Sequence, residues 1–234
     1  MNIIDNEFSE NSVTYKIRNR WENLKRETER QSEGNCIEII AVSKNQSLEI
    51  LKNAYDAGIR HFGENKAQEV RCKSEFFINP EIKLSFIGHL QKNKIKYLVD
   101  KCDLIQSVDS FELAIAIDSV YEKEDKKSNI LLQINSSYEK EKGGVYPEKA
   151  FELYRRISEM KNIKTKGLMT IGAHTAEERV IENSFKTALE IFNEIKKEYE
   201  KCEILSMGMS DDYKLALKYK SNMLRIGRSI FADL

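Results

Sequence analysis

What this sequence lacks narrows its function first. It has no net charge: Lys+Arg and Asp+Glu each number 38 among 234 residues. Nucleic-acid binding through bulk charge leaves a strong basic excess, so no nucleic-acid partner is expected. No apolar run approaches the roughly 18 residues that cross a bilayer, and no membrane association is expected. The opening Met1-Asn2-Ile3-Ile4-Asp5-Asn6-Glu7 has neither the basic nor the apolar region of a signal peptide. Cys36, Cys72, Cys102 and Cys202 form no C-x-x-C pair. With only His61, His89 and His174 beside them, no metal site is expected. The four read as reduced thiols of a cytoplasmic protein. Linkers, low-complexity segments and repeats of fixed period are also missing, so residues 1–234 read as one domain. No long uncovered apolar face calls for a second copy, and a monomer is expected.

What is present is a regular alternation. Val13, Ile17, Trp21 and Leu24 fall on one face of an amphipathic helix expected over 9–33, with Ser9 and Ser12 as candidate N-caps and Gly34 as its stop. Short apolar, β-branched runs then recur at 37–43, 60–63, 84–88, 104–108, 130–135, 165–171, 204–207 and 223–226. Helical patterns at 47–57, 66–73, 91–99, 111–123, 147–160, 176–199 and 211–219 separate them. The charged runs at 121–127 and 194–203 fit solvated helix faces. Eight strands alternating with helices imply a parallel α/β architecture. A closed (β/α)8 TIM-type barrel is favoured, with an open doubly wound sheet as the alternative.

In such a barrel, functional groups gather at the C-terminal ends of the strands. Those positions here are rich in polar residues and glycine and poor in paired carboxylates, which disfavours glycosidase-type acid–base work. Lys44 stands out because it follows an apolar strand and projects toward the mouth. Partial desolvation of a lysine there would free its amine for a Schiff base. Met207-Gly208-Met209-Ser210 precedes a helix opening at Asp211-Asp212, which puts Ser210 at or near an N-cap. With Gly227-Arg228-Ser229 after the last strand, it would form an anion cradle from the loops after strands seven and eight.

Seven motifs in order carry a resemblance: Ala41-Val42-Ser43-Lys44; Phe62-Gly63-Glu64-Asn65 with Gln68-Glu69; Phe86-Ile87-Gly88-His89-Leu90-Gln91 with Asn93-Lys94; Ser107-Val108-Asp109-Ser110; Gly167-Leu168-Met169-Thr170-Ile171; Ser206-Met207-Gly208-Met209-Ser210; and Arg225-Ile226-Gly227 with Ile230-Phe231. Asn135, Ser137, Glu139, Lys142 and Gly144 add a matching loop pattern after the fifth strand. The chain resembles the YggS/PROSC family of pyridoxal-phosphate-binding proteins over nearly its whole length. The resemblance implies a barrel like the N-terminal domain of alanine racemase, with pyridoxal 5'-phosphate (PLP) joined to Lys44. It also implies Asn65 along the ring, Arg225 facing the pyridine nitrogen, Ser210 and the Gly227 region around the phosphate, and Ile226 among the cofactor-binding residues. A guanidinium at that nitrogen stays protonated, leaves the ring unprotonated and weakens it as an electron sink. Two places depart from the family pattern: Gly172-Ala173 replaces Ala-Pro, and Lys220-Ser221-Asn222 replaces Gly-Ser-Thr, putting a long cation where the phosphate region is expected.

Three functions follow. The favoured one is a PLP carrier or regulator in vitamin B6 and amino-acid homeostasis, with PLP-dependent apo-enzymes as acceptors and little catalysis of its own. The second is an alanine-racemase-like enzyme on free amino acids; the chain ends soon after the last strand, which leaves no room for the racemase's second domain and makes this reading less favoured. The third is a barrel that binds a phosphorylated metabolite without a Schiff base.

Overall fold

The structure, a computed structural model, describes residues 12–32 and 34–234. It opens with α1 (Val13–Gln31), where the Ser12 hydroxyl accepts the Tyr15 N–H at 3.2 Å. The expected helix over 9–33 therefore starts at Val13, and Ser9 and residue 33 lie outside the described residues. Trp21, Leu24 and Ile17 bury its apolar stripe.

Eight strands follow: β1 (Glu38–Val42), β2 (His61–Glu64), β3 (Lys83–Phe86), β4 (Leu104–Val108), β5 (Ser128–Ile134), β6 (Ile163–Thr170), β7 (Ile204–Ser206) and β8 (Met223–Ile226). Each pairs in parallel with the next, and β8 returns to β1 with Ile40 opposite Arg225, closing the barrel. The open sheet is thereby excluded. Around it lie α2 (Leu48–Asp56), α3 (Ala67–Cys72), α4 (Ser74–Phe77), α5 (Phe111–Lys123), α6 (Pro147–Ser158), α7 (Glu178–Glu198), α8 (Tyr213–Lys218) and α9 (Arg228–Phe231). Ser47 and Ser110 cap α2 and α5 with their hydroxyls.

Three connections differ from the sequence expectation. The helix expected at 66–73 breaks at Lys73 and resumes as α4, because the Lys73 ammonium turns inward to two carboxylates. The connection after β3 is a 3₁₀ helix, Lys92–Tyr97, with Ile95 buried at its centre. A short helix, α9, also follows β8.

Side chains on a strand alternate between the helix-facing and lumen-facing sides. Ile39, Ala41, Leu224 and Ile226 join the large outer core under the helices. Ile40, Leu104, Leu131, Met169 and Met223 form a second, smaller cluster inside the barrel. This phase decides which residues can reach the mouth. The four cysteines are unpaired. Among the described residues, no helix is long and apolar enough to cross a membrane, and no His/Cys/Asp/Glu cluster could hold a metal.

Candidate functional site

A cavity of about 780 Å³ opens at the C-terminal ends of the strands. Val42, Lys44, Asn65, Ile87, His89, Gln133, Ile171, Arg225 and Gly227 are among its lining. Most of them continue the lumen-facing alternation past the strand ends: 42 and 44 after 40, 225 and 227 after 223. The barrel's pleat thus delivers distant residues to one mouth. A second cavity of about 790 Å³ adjoins it, sharing Ile171, His174, Met209 and Asp211 and extending between the loops before α7 and α8.

Five of the six expected site residues meet here: Lys44, Asn65, Ser210, Arg225 and Gly227. Ile226 does not. It is out of phase with its neighbours, so its side chain is fully buried in the outer core. Ser210 lines the cavity, yet it is not a helix cap: α8 begins at Tyr213 with Asp212 in the cap position. Asp212 turns back to accept the Met209 N–H at 2.6 Å, while Ser210 Oγ accepts the Ser229 N–H at 3.4 Å. That bond joins the loop after β7 to the start of α9. Gly208, at φ +99, makes the tight turn that leads from β7 into this loop.

Lys44 is exposed, so the protein alone does not give it the partial burial expected from its position. Its two neighbours are held firmly. Ser43 Oγ donates to Glu64 at 2.8 Å, and the Asn45 N–H donates to Glu69 at 3.1 Å. Lys73 Nζ bridges both carboxylates at 2.9 Å each. Burial pushes the Glu64 carboxyl above the usual range, offset in part by Lys73 and Ser43. Burial also acts to raise Glu69, but Lys73 and the Asn45 N–H outweigh it and hold Glu69 low. The sequence shows Ser43 in one motif, Glu64 and Glu69 in another and Lys73 in neither; the clamp appears once the chain turns Lys73 inward.

Arg225 is buried beneath the mouth. Nη1 donates to Ser206 Oγ at 2.7 Å and Nη2 to the Thr170 carbonyl at 2.8 Å. Desolvation lowers its pKa to about 10, with Asp212 acting the other way, so the guanidinium stays charged at neutral pH. In the same cavity, the Oδ1 of Asn65 is buried without a hydrogen-bond partner. Gly88 passes so close to Asn65 that a Cβ would sit 2.0 Å from its carbonyl oxygen, and Ser107 Oγ fixes the Gly88 carbonyl at 2.5 Å. The loop after β5 is tied over the mouth: Asn135 Nδ2 donates to the Glu139 carbonyl at 2.8 Å, and Lys142 Nζ donates to Glu139 and to the Gly172 carbonyl.

Lys220-Ser221-Asn222 corrects a second expectation. These residues precede β8 and lie at the opposite end of the barrel from the cavity. Asn222 joins the Leu205 N–H to the Glu203 carbonyl there. Lys220 occupies a left-handed turn at φ +61 after α8. A glycine is favoured in such a turn for conformational reasons, and the lysine that replaces it lies away from the cavity.

Residues 15–234 match the family model described as "Alanine racemase, N-terminal domain". A Helicobacter pylori protein named "Pyridoxal phosphate homeostasis protein" is 44% identical over 204 residues, covering 86% of this chain and 90% of that one. The structure of PipY from Synechococcus elongatus "with PLP bound" superposes with a TM-score of 0.82 at 29% identity, covering 92% of this chain and all of that chain. An alanine racemase from Clostridium difficile superposes with a TM-score of 0.79 at 15% identity, over 94% of this chain and 57% of the racemase, a likeness of fold.

Proposed function

We propose that this chain, which belongs to the pyridoxal phosphate homeostasis proteins built on the alanine racemase N-terminal domain, binds PLP at the barrel mouth. The observation that carries the reading is a single cavity lined by Lys44, Asn65, Ser210, Arg225 and Gly227. A cavity of about 780 Å³ has room for the cofactor. The unpartnered Asn65 Oδ1 and the buried, charged Arg225 are suited to a planar, heteroaromatic group. When bound, PLP supplies an aldehyde for imine formation and a ring that can draw electrons.

With PLP in the cavity, the Lys44 amine would be the nucleophile toward its aldehyde, a condensation that would release one water. The Glu64–Lys73–Glu69 clamp holds the turn that carries Lys44, and Arg225 would face the ring nitrogen as a fixed cation that disfavours its protonation. Ser210 and the backbone at Gly227 would hold the phosphate, and Arg228 lines the same cavity. A cation at that nitrogen weakens the ring as an electron sink, which supports storage and delivery of PLP over strong amino-acid catalysis. The exposure of Lys44 fits handing the cofactor to apo-enzymes inside the cell.

The test is the visible spectrum of the PLP-loaded protein, with borohydride reduction and mapping of the reduced adduct by mass spectrometry. Lys44 is expected to carry the adduct, and Lys44→Ala to lose the visible band while staying folded. Ser210→Ala is expected to weaken PLP about tenfold but leave pyridoxal almost unaffected. An adduct on another lysine, or an unchanged band in Lys44→Ala, overturns the proposal.

A further inference from the structure

Below Arg225 the barrel lumen is only partly apolar. Alongside the Ile40–Leu104–Leu131–Met169–Met223 cluster runs a row of polar side chains from six strands. Arg225 Nη1 bonds Ser206 Oγ at 2.7 Å, Ser206 Oγ bonds Gln106 Oε1 at 2.7 Å, and Gln106 Nε2 bonds Ser85 Oγ at 3.1 Å. Ser85 Oγ then meets His61 Nε2 at 2.9 Å, and His61 Nδ1 meets Glu38 Oε1 at 2.7 Å. The row begins under the mouth and ends at the first residue of β1, on the opposite face, where Lys83 Nζ lies 3.5 Å from the same Glu38 oxygen.

The charges at its two ends fix the direction of every bond. A guanidinium only donates, so Ser206 accepts from it and directs its single proton to Gln106 Oε1. That orients the amide and leaves Gln106 Nε2 to donate to Ser85, with Met223 Sδ 3.2 Å away as a second acceptor. From the other end, a carboxylate only accepts, so the proton of the imidazole belongs on Nδ1. The His61 hydrogen bond is the first cause holding Glu38 down to about 2, which keeps that end ionised. Nε2 is then bare, and the Ser85 hydroxyl fills it. Both readings reach Ser85 with the same polarity. A proton on Nε2 would place two donors on Ser85 Oγ and strand its own hydroxyl hydrogen in a fully buried position.

We infer that Ser206, Gln106, Ser85 and His61 are positioning residues: a one-way hydrogen-bond chain through the barrel that holds the Arg225 guanidinium from Glu38 on the far face. Its bonds polarise one another in the same sense. Its functional consequence rests on the reading that Arg225 meets the PLP ring; the chain itself belongs to the protein with or without PLP.

The experiment uses the full chain labelled with 15N-histidine, with and without PLP. Long-range proton–nitrogen spectra are expected to show His61 as the Nδ1–H tautomer. Ser206→Ala is expected to shift the His61 nitrogen signals across the intervening Gln106 and Ser85, and Ser206→Thr, which keeps the hydroxyl, to restore them. Glu38→Gln, at the exposed end, keeps the fold and is expected to raise the Nε2–H fraction. With PLP, Ser206→Ala is expected to bind about 3–10-fold more weakly with a shifted visible band, and Ser206→Thr to resemble the native chain. An Nε2–H tautomer in the native protein, or His61 signals unmoved by Ser206→Ala, overturns the chain. Native affinity and band in Ser206→Ala overturn its positioning role. A native protein that takes up no PLP refutes the cofactor reading instead, and the tautomer and the Ser206 shifts then decide the chain alone.

Discussion

At the scale of single residues, the most consequential side chain outside the cavity is Lys73. Its ammonium is the counter-charge for Glu64, a carboxylate with no exposed surface and one oxygen already unpartnered. Removing one partner of a buried pair leaves the other charge uncompensated, so Lys73→Met is expected to destabilise the protein by about 3–5 kcal/mol near neutral pH in urea unfolding. Burial already places Glu64 above the usual range, so acid relieves this loss by protonating it. Adding Glu64→Gln to Lys73→Met is expected to recover most of the stability, because the unpaired charge goes too. Lys220 gives a residue-scale contrast. Its left-handed φ of +61 penalises β-branching, so Lys220→Val is expected to be about 1 kcal/mol less stable than Lys220→Gly by thermal unfolding, a comparison in which both variants lack the lysine side chain.

At the scale of elements, the pleat of each strand decides which residues share the mouth. All eight strands were legible, because buried parallel strands are short, apolar and punctuated by polar turns. Lys44, Asn65, Arg225 and Gly227 were legible as strand-end residues and share one cavity. Ile226 lies one residue out of phase with Arg225, and a period of two puts it in the outer core. The clamp and the lumen chain were not legible, since their partners are joined only by barrel closure: Ser206 and Gln106 stand 100 residues apart. The break at Lys73 has the same origin, a tertiary ion pair overriding a helical pattern. Where the loop after β3 crosses Asn65, there is no space for a side chain. Gly88→Ala would place a Cβ 2.0 Å from the Asn65 carbonyl oxygen. The backbone must move, so the variant is expected to lose about 1–3 kcal/mol in thermal unfolding and bind PLP at least tenfold more weakly in a spectroscopic titration.

At the scale of the whole molecule, the balanced charge at neutral pH leaves little global repulsion; acid removes that balance, and the individual carboxyls add to this with different signs. Glu38 and Glu64 act in opposite senses. The His61 hydrogen bond holds Glu38 at about 2, below its ordinary 4.5. A depressed carboxyl contributes stability that is full above its unfolded value and is lost as pH falls toward the folded one. Glu64 is raised by burial, so its contribution is full below 4.5 and is lost as pH rises through its folded value. Acidification from neutrality therefore first relieves Glu64 and only afterwards, between about pH 4.5 and 2, removes the contribution of Glu38. The Glu38 side chain is 41% exposed, so solvent screening reduces the expected contribution to about 1 kcal/mol. Glu38→Gln should accordingly lower stability by about that amount at pH 6, measured by urea unfolding, and the difference from the native chain should close by pH 2. A gap that stays constant from pH 6 to pH 2 would mean that the carboxylate at the foot of the barrel contributes packing and not charge.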